Sequence, residues 1–329
     1  MERDVKMKIA LVISDPSDPL VPIEHQLGLT HLVSGVRATA ADKDNLNDIV
    51  AAKVKSFEDI GLKFSVFEGM GGIEDIKLDR PGADEQMDFA KKLIEACGRS
   101  GVGVMCYNWM PVVGWRRTKI AKPSRGGSVV TAFDIADENP DERTYAGEIS
   151  EATLWKTLDA FLREIIPVCE KWNVKMSLHP DDPPILVPLK GISRIITSAR
   201  NYQRVFDIID SAYNTMTFCQ ANICAMGEDI PSTIRRFGNM GKITFVHFRD
   251  IRGDKNCFEE TWHDDGQTDM YKSMRAYYEV GFHGVARPDH VPTMIGEPND
   301  KPSYAVNANI FAVGYMKGLM EAVQKQIGL

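Results

Sequence analysis

Val174-Lys-Met-Ser-Leu-His179, Met216-Thr-Phe-Cys219, Ile243-Thr-Phe-Val-His247 and Gly284-Val-Ala-Arg-Pro-Asp289 are short apolar runs that each close on a residue able to ligate a metal. The closing residues are 40, 28 and 42 positions apart. Each gap is about the length of one strand-plus-helix unit, and in a parallel barrel the strand C-termini converge on the rim that holds the active site. Two imidazoles, a thiolate and a carboxylate on one rim suit a divalent metal such as Zn, Fe, Co or Mn, with the thiolate leaning toward Zn or Fe. Taken singly, a strand-end His is more often structural and a lone Cys more often a core residue. It is the joint pattern that points to a metal site formed by His179, Cys219, His247 and Asp289.

Outward from these runs the same rhythm continues. Strand-like segments fall at Ile9–Ser14, His31–Val36, Leu62–Glu68, Val102–Asn108, Val174–His179, Met216–Cys219, Ile243–Phe248 and Gly284–Asp289. Helical periodicity predicts helices over Asn45–Ile60, stopped by Gly61, and Asp84–Cys97, stopped by Gly98. Further helices are expected at Glu151–Trp172 (with a break at Pro167), Pro231–Phe237, Thr268–Val280 and Asn307–Gln324. Strands alternating with helices predict a single-domain (β/α)8 barrel across residues 1–329, with a doubly wound open sheet as the other reading. Residues 109–150 carry no clear helix and form a long insertion after the fourth strand, placed to act as an active-site lid or clamp.

Composition narrows the function. With 43% hydrophobic and 26% charged residues the chain reads as globular, with a core large enough to fold without a disulfide or metal. Its net charge of −7 argues against nucleic acid and anionic membranes as partners. No apolar run is long enough to span a membrane, and the first residues lack the apolar stretch of a secretory signal. The six cysteines include no C-x-x-C pair, so reduced thiols and a cytoplasmic location are expected.

Other residues suit a small polar substrate. Arg116, Arg117, Arg125, Arg249, Arg252 and Arg287 fall on rim segments of an acidic chain, where guanidinium can pair with a carboxylate. Asn108, Trp109 and Trp115 offer an amide and stacking surfaces. In Phe258–Asp269, His263 with Asp264 and Asp265 could meet sugar hydroxyls, or Asp265-Gly266 could be an ordinary turn. Asp182 is a candidate to orient a ligand from behind. Glu68-Gly-Met-Gly-Gly72 lacks the spacing of a phosphate loop and is set aside. His290, next to Asp289, is either a hydrogen-bonding support or an acid/base group.

Four strings together, Cys106-Tyr-Asn-Trp-Met-Pro-Val112, Ser177-Leu-His-Pro-Asp-Asp-Pro-Pro184, Val246-His-Phe-Arg249 and Arg287-Pro-Asp-His290, resemble the mannonate dehydratase family of the xylose-isomerase-like barrels. The likeness runs from roughly Gly61 to the C-terminus. It implies dehydration of D-mannonate to 2-keto-3-deoxy-D-gluconate with Mn2+, or with Fe2+ or Co2+. It implies ligand roles for His179, Cys219, His247 and Asp289 and acid/base roles for His290 and Tyr304, with Tyr315 a weaker candidate for the latter. Barrels of this kind often associate, so a homo-oligomer is expected. Two stretches depart from the family: the first strand ends Ile13-Ser-Asp-Pro16 where the family is aromatic-rich, and Val291-Pro292 stands where Gly-His is common. A metal-dependent sugar isomerase or epimerase would need the same barrel and metal. A non-catalytic metal- or sugar-acid-binding protein is the alternative from another class.

Overall fold

The computed structural model describes residues 7–328. The first six residues, on which the reading of a missing secretory signal rests, lie outside it. In chain order the strands are β1 (Lys8–Val12), β2 (His31–Ser34), β3 (Lys63–Glu68), β4 (Val104–Tyr107), β5 (Lys119–Pro123), β6 (Val129–Asp134), β7 (Lys175–Leu178), β8 (Asn214–Cys219), β9 (Ile243–Phe248), β10 (Ile251–Gly253), β11 (Cys257–Glu260) and β12 (Val285–Pro288). The helices are α1 (Leu20–Gln26), α2 (Leu46–Glu58), α3 (Glu74–Leu78), α4 (Ala83–Arg99), α5 (Glu151–Trp172), α6 (Ala199–Ile208), α7 (Gln220–Ala225), α8 (Ile230–Asn239), α9 (Met270–Glu279) and α10 (Val306–Ile327).

Eight strands close into a parallel barrel in the order β1-β12-β9-β8-β7-β4-β3-β2. They are the eight runs read from the sequence, and closure decides against the open sheet. Small and β-branched side chains, Ala10, Val33, Val66 and Val285, fill the barrel interior around the aromatic ring of Phe245. The larger apolar cluster lies between strands and helices. Register then positions the chemistry. Cys219 pairs with His247 across β8 and β9, and His247 pairs with Arg287 across β9 and β12.

Local chemistry explains the helix ends. Ser150 accepts a hydrogen bond from the Thr153 N–H at the start of α5, and Asp229 and Asp269 cap α8 and α9 in the same way. The break expected at Pro167 does not occur: α5 runs unbroken for 22 residues. An internal proline costs about 3 kcal/mol, and the buried face holding Phe161, Leu162, Ile165, Ile166 and Cys169 offsets it. Nor does Gly98 stop α4, which continues to Arg99. A Cβ there would come within 2.4 Å of the Trp172 carbonyl oxygen, so this glycine lets α4 and α5 approach closely.

The insertion is more regular than its sequence suggests. Its strands β5 and β6 form a four-stranded sheet with β10 and β11, in the order β10-β11-β6-β5, all pairings antiparallel. The polar segment beginning at Phe258 is therefore partly strand, not only a turn.

Candidate active site

Strand ends carry the site. His179 follows β7 directly, Cys219 ends β8, His247 lies one residue before the end of β9, and Asp289 follows β12. Ligand atoms of His179, Cys219 and His247 all lie within 4.8 Å of one another. His179 Nδ1 faces the Pro180 carbonyl oxygen at 2.7 Å, an acceptor only, so Nδ1 holds the proton and Nε2 offers its lone pair to the site. That Nε2 lies 3.1 Å from His247 Nδ1. Two imidazole nitrogens facing each other beside a buried thiol form a donor set that fits a divalent cation. Burial alone would raise the Cys219 thiol, but the Arg249 guanidinium and the contacts from His179 and His247 outweigh it and bring the thiol down to about 6. Cys219 is thus ready to act as a thiolate.

Asp289 stands at the edge of this group, with Oδ2 3.4 Å from His247 Nδ1. Two guanidiniums hold it: Arg249 Nη1 lies 3.1 Å from Oδ2 and Arg287 Nη1 2.6 Å from Oδ1. Burial opposes its charge, yet Arg287, His290, His247 and Arg249 keep the carboxyl far below the usual range. Around it lies a buried ionic network. Arg117 bonds Asp182 at 2.6 and 3.2 Å and also reaches Glu260, while Arg249 bonds Asp182 at 2.9 Å and Asn222 at 2.8 Å. Asn222 in turn meets the Cys219 sulfur at 2.8 Å, tying the network to the donor group.

His290 sits over this network with a positive φ of 51°, a backbone conformation uncommon for a non-glycine residue. Its Nδ1 is 2.9 Å from Glu260 Oε1 and also touches Arg249. Burial, then Arg249, lower its proton affinity, against the pull of Asp289 and Glu260. The Trp115 ring lies 5.2 Å from the imidazole and the Tyr304 ring 5.7 Å from it, the latter edge-to-face. Tyr304 keeps 42% of its surface open. Desolvation of its hydroxyl, reinforced by Asp289, nevertheless pushes the phenol up to about 12.

A pocket of about 230 Å³ joins these groups, with Asn108, Trp115, His179, His247, Arg287, Asp289, His290 and Tyr304 in its wall. Two residues expected to bind substrate lie elsewhere. Trp109 is buried in the core, where its indole N–H donates to the Leu154 carbonyl at 3.1 Å and its ring packs on Phe161. His263 is buried behind the seventh barrel strand with Nε2 2.7 Å from the Phe248 carbonyl oxygen, and burial lowers it to about 4. Arg125 and Arg252 form surface ion pairs with Asp264 and Asp265. Tyr315 stacks on Phe311 of its own helix and is absent from the pocket wall.

Glu260 and Asn222 do not stand out in the sequence, and Glu68 is weighed there only in the loop reading that is set aside. Glu68 ends β3, so the strand-end rule that found the other residues would have found it too. Its Oε1 lies 2.9 Å from His247 Nε2 and 3.0 Å from Arg287 Nη2. Against the cost of burial, Arg287 and His247 hold its carboxyl down at about 2.

The closed eight-stranded parallel barrel is the fold of solved xylose isomerase domain proteins. A D-tagatose 3-epimerase-like protein superimposes with a TM-score of 0.64 at 12% identity over 98% of this chain and all of the other, a likeness of fold alone. The family model described as D-mannonate dehydratase (UxuA) matches residues 19–145 and 141–328. Mannonate dehydratase of Thermotoga maritima is 36% identical over 326 residues, 85% of this chain and 89% of that protein. The Thermotoga neapolitana protein of that name is 35% identical over 316 residues, 85% and 86% of the two chains. The crystal structure of mannonate dehydratase from Streptococcus suis serotype 2 superimposes with a TM-score of 0.89 at 29% identity, covering 98% of this chain and 95% of that one. The chain belongs to the D-mannonate dehydratase family, a family of hydro-lyases.

Proposed function

We propose that this protein removes water from D-mannonate to give 2-keto-3-deoxy-D-gluconate, with a divalent metal held by His179, Cys219, His247 and Asp289. The observation that carries the reading is the placement of His290 and Tyr304, rings 5.7 Å apart, in the wall of the pocket that also holds His179, His247 and Asp289. Once bound, the metal supplies a positive charge that offsets the negative charge developing on the substrate's carboxylate and 2-hydroxyl. Mn2+ is the first ion to test, with Fe2+ and Co2+ next. The residues read from the sequence therefore divide into metal ligands, acid/base groups and a binding wall of Asn108, Trp115 and Arg287.

The chain's own groups handle the protons. Glu260 accepts from His290 Nδ1, which puts the ring's lone pair on Nε2, the atom assigned to take the proton from C2; Arg249 lies against both ring nitrogens, 3.3 Å from Nε2. Tyr304, a protonated phenol at neutral pH, delivers a proton to the departing 3-hydroxyl, which leaves as water. The resulting enol becomes the 2-keto product. Arg287 lies in the same wall and positions the carboxylate end. Trp115 covers the imidazole and limits water around it. We place this reaction in the cytoplasm, in a homo-oligomer acting on a small sugar acid. Among the described residues no helix is long and apolar enough to cross a membrane.

The test is mass-resolved turnover of D-mannonate by protein stripped of metal and reloaded with Mn2+. Loss of about 18 mass units (one water), abolished by chelator, supports the reading. A product of unchanged mass would identify an isomerase or epimerase, and bound metal without turnover a binding protein.

A further inference from the structure

The pocket at the candidate metal site, about 230 Å³, falls short of the roughly 300–1,000 Å³ common for small-molecule sites. A ligand seated there lies next to further space. Two cavities share Arg287 and Tyr304 with that pocket and so offer exits. One, of about 430 Å³, carries Asp18, Glu297 and Asp300 against Lys301 and the shared Arg287, a balance that disfavours an anion. The other, of about 1070 Å³, runs between the ends of β1 and β2 and the flank of α2.

In this second cleft the charges favour an anion. Its two acids, Asp15 and Glu68, face three cations, Arg37, Lys53 and Arg287, and Glu68 is paired with Arg287 at 3.0 Å. Lys53 reaches the Ser14 carbonyl oxygen at the side of the cleft, where burial lowers its proton affinity against the pull of Asp15. Arg37 lines the cleft, exposed, and among the described residues has no ion pair or side-chain hydrogen bond. The floor between Arg37 and the metal side is Gly35, where a Cβ would come within 2.9 Å of the Glu68 carbonyl oxygen.

We propose that the cleft between β1 and β2 is a subsite for a second anionic group at the far end of the sugar acid, with Arg37 as its principal cation and Lys53 as its support. The substrate class is a hexonate carrying a terminal carboxylate or phosphate. This inference rests on the sugar-acid reading above and goes beyond it, because D-mannonate itself ends in a neutral hydroxyl.

Calorimetric titration of Mn2+-loaded protein with three ligands tests it: D-mannonate, the same acid oxidised to a carboxylate at C6, and the same acid phosphorylated at O6. A hydrogen-bonded charge pair is worth enough to make the better dianion bind about tenfold tighter than D-mannonate. The two dianion arms identify which anion the cleft takes. In Arg37→Gln the preference collapses, in Arg37→Lys part of it returns, and in Lys53→Gln it weakens. Dianions that bind no tighter than D-mannonate overturn the subsite, as does a preference that survives Arg37→Gln. If D-mannonate is dehydrated while neither dianion is preferred, the subsite alone fails. If a dianion is preferred but no acid is dehydrated, the subsite stands and the reaction assigned above fails.

Discussion

His179, Cys219 and His247 lie beside Asp182, Glu260, Asp289 and three arginines on one rim, yet the two groups solve opposite problems. In the first, two imidazole nitrogens 3.1 Å apart and a thiol poised as thiolate converge on one point. Lone pairs so close repel unless a proton or cation lies among them. In the second, Arg117, Arg249 and Arg287 are spread over four carboxylates, Glu68 included, so nearly every buried charge meets its opposite. The first group is incomplete by construction and its ligand completes it. The second pairs its charges within itself, and those pairs hold His290 and Asp289 in place.

The largest effect should come from the incomplete group. Cys219→Ser removes its thiolate, and we expect stoichiometric metal to be lost on dialysis and dehydration to fall to the level seen with chelator, while the thermal midpoint of the metal-free protein barely moves. Metal analysis beside calorimetry checks this, and a metal-free midpoint lowered as far as an Arg249 variant's would erase the contrast. His290→Asn should reduce turnover by about 10²–10⁴-fold, the usual worth of an acid/base group, with metal content intact. Activity within a few fold of wild type would remove His290 from the chemistry.

The complete group should answer in stability instead. Arg249→Met leaves Asp182, Glu260 and Asp289 with an uncompensated buried charge, and loss of one partner from such a network costs about 3–5 kcal/mol. Denaturant unfolding of metal-free protein measures it. Glu24 gives the smallest effect, away from the site. It is fully buried on α1, with Oε1 accepting the Leu11 N–H at 2.9 Å and Oε2 unpartnered. Burial raises its carboxyl from 4.5 to about 7. The folded state therefore holds a proton that the unfolded chain releases, and stability declines as pH rises from about 4.5 to about 7, by about 3 kcal/mol at most. Glu24→Gln should flatten that part of the profile in urea titrations at pH 5 and pH 8.

The barrel was legible because each strand announces itself over a few residues, by apolar character and a turn signal. The donor set was legible for the same reason, since it lies at the strand ends. What stayed hidden depends on distance along the chain. Arg117 meets Asp182 65 residues later and Glu260 143 residues later, and no local pattern marks such a pairing. These arginines read as rim charges free for a substrate, whereas Arg117 and Arg249 are almost fully buried in the network. Trp109 misled for the converse reason. It follows a strand beside Asn108, as a stacking residue would, but α5 lies over it and takes the indole into the core. The insertion looked irregular because β5 is exposed along its whole length and lacks the alternation that marks a strand.

The rim sheet has a mechanical consequence. β6 comes from the insertion after the fourth barrel strand and β11 from the loop after the seventh, and their backbones are joined through Phe133 and Phe258. The two loops are one leaf with two stems. Their amide hydrogens should exchange with solvent as one cooperative unit, and any opening over the pocket has to bend both stems at once. Arg117 on one stem and Arg249 on the other share the carboxylate of Asp182, so the same ion that steadies the site also latches the leaf.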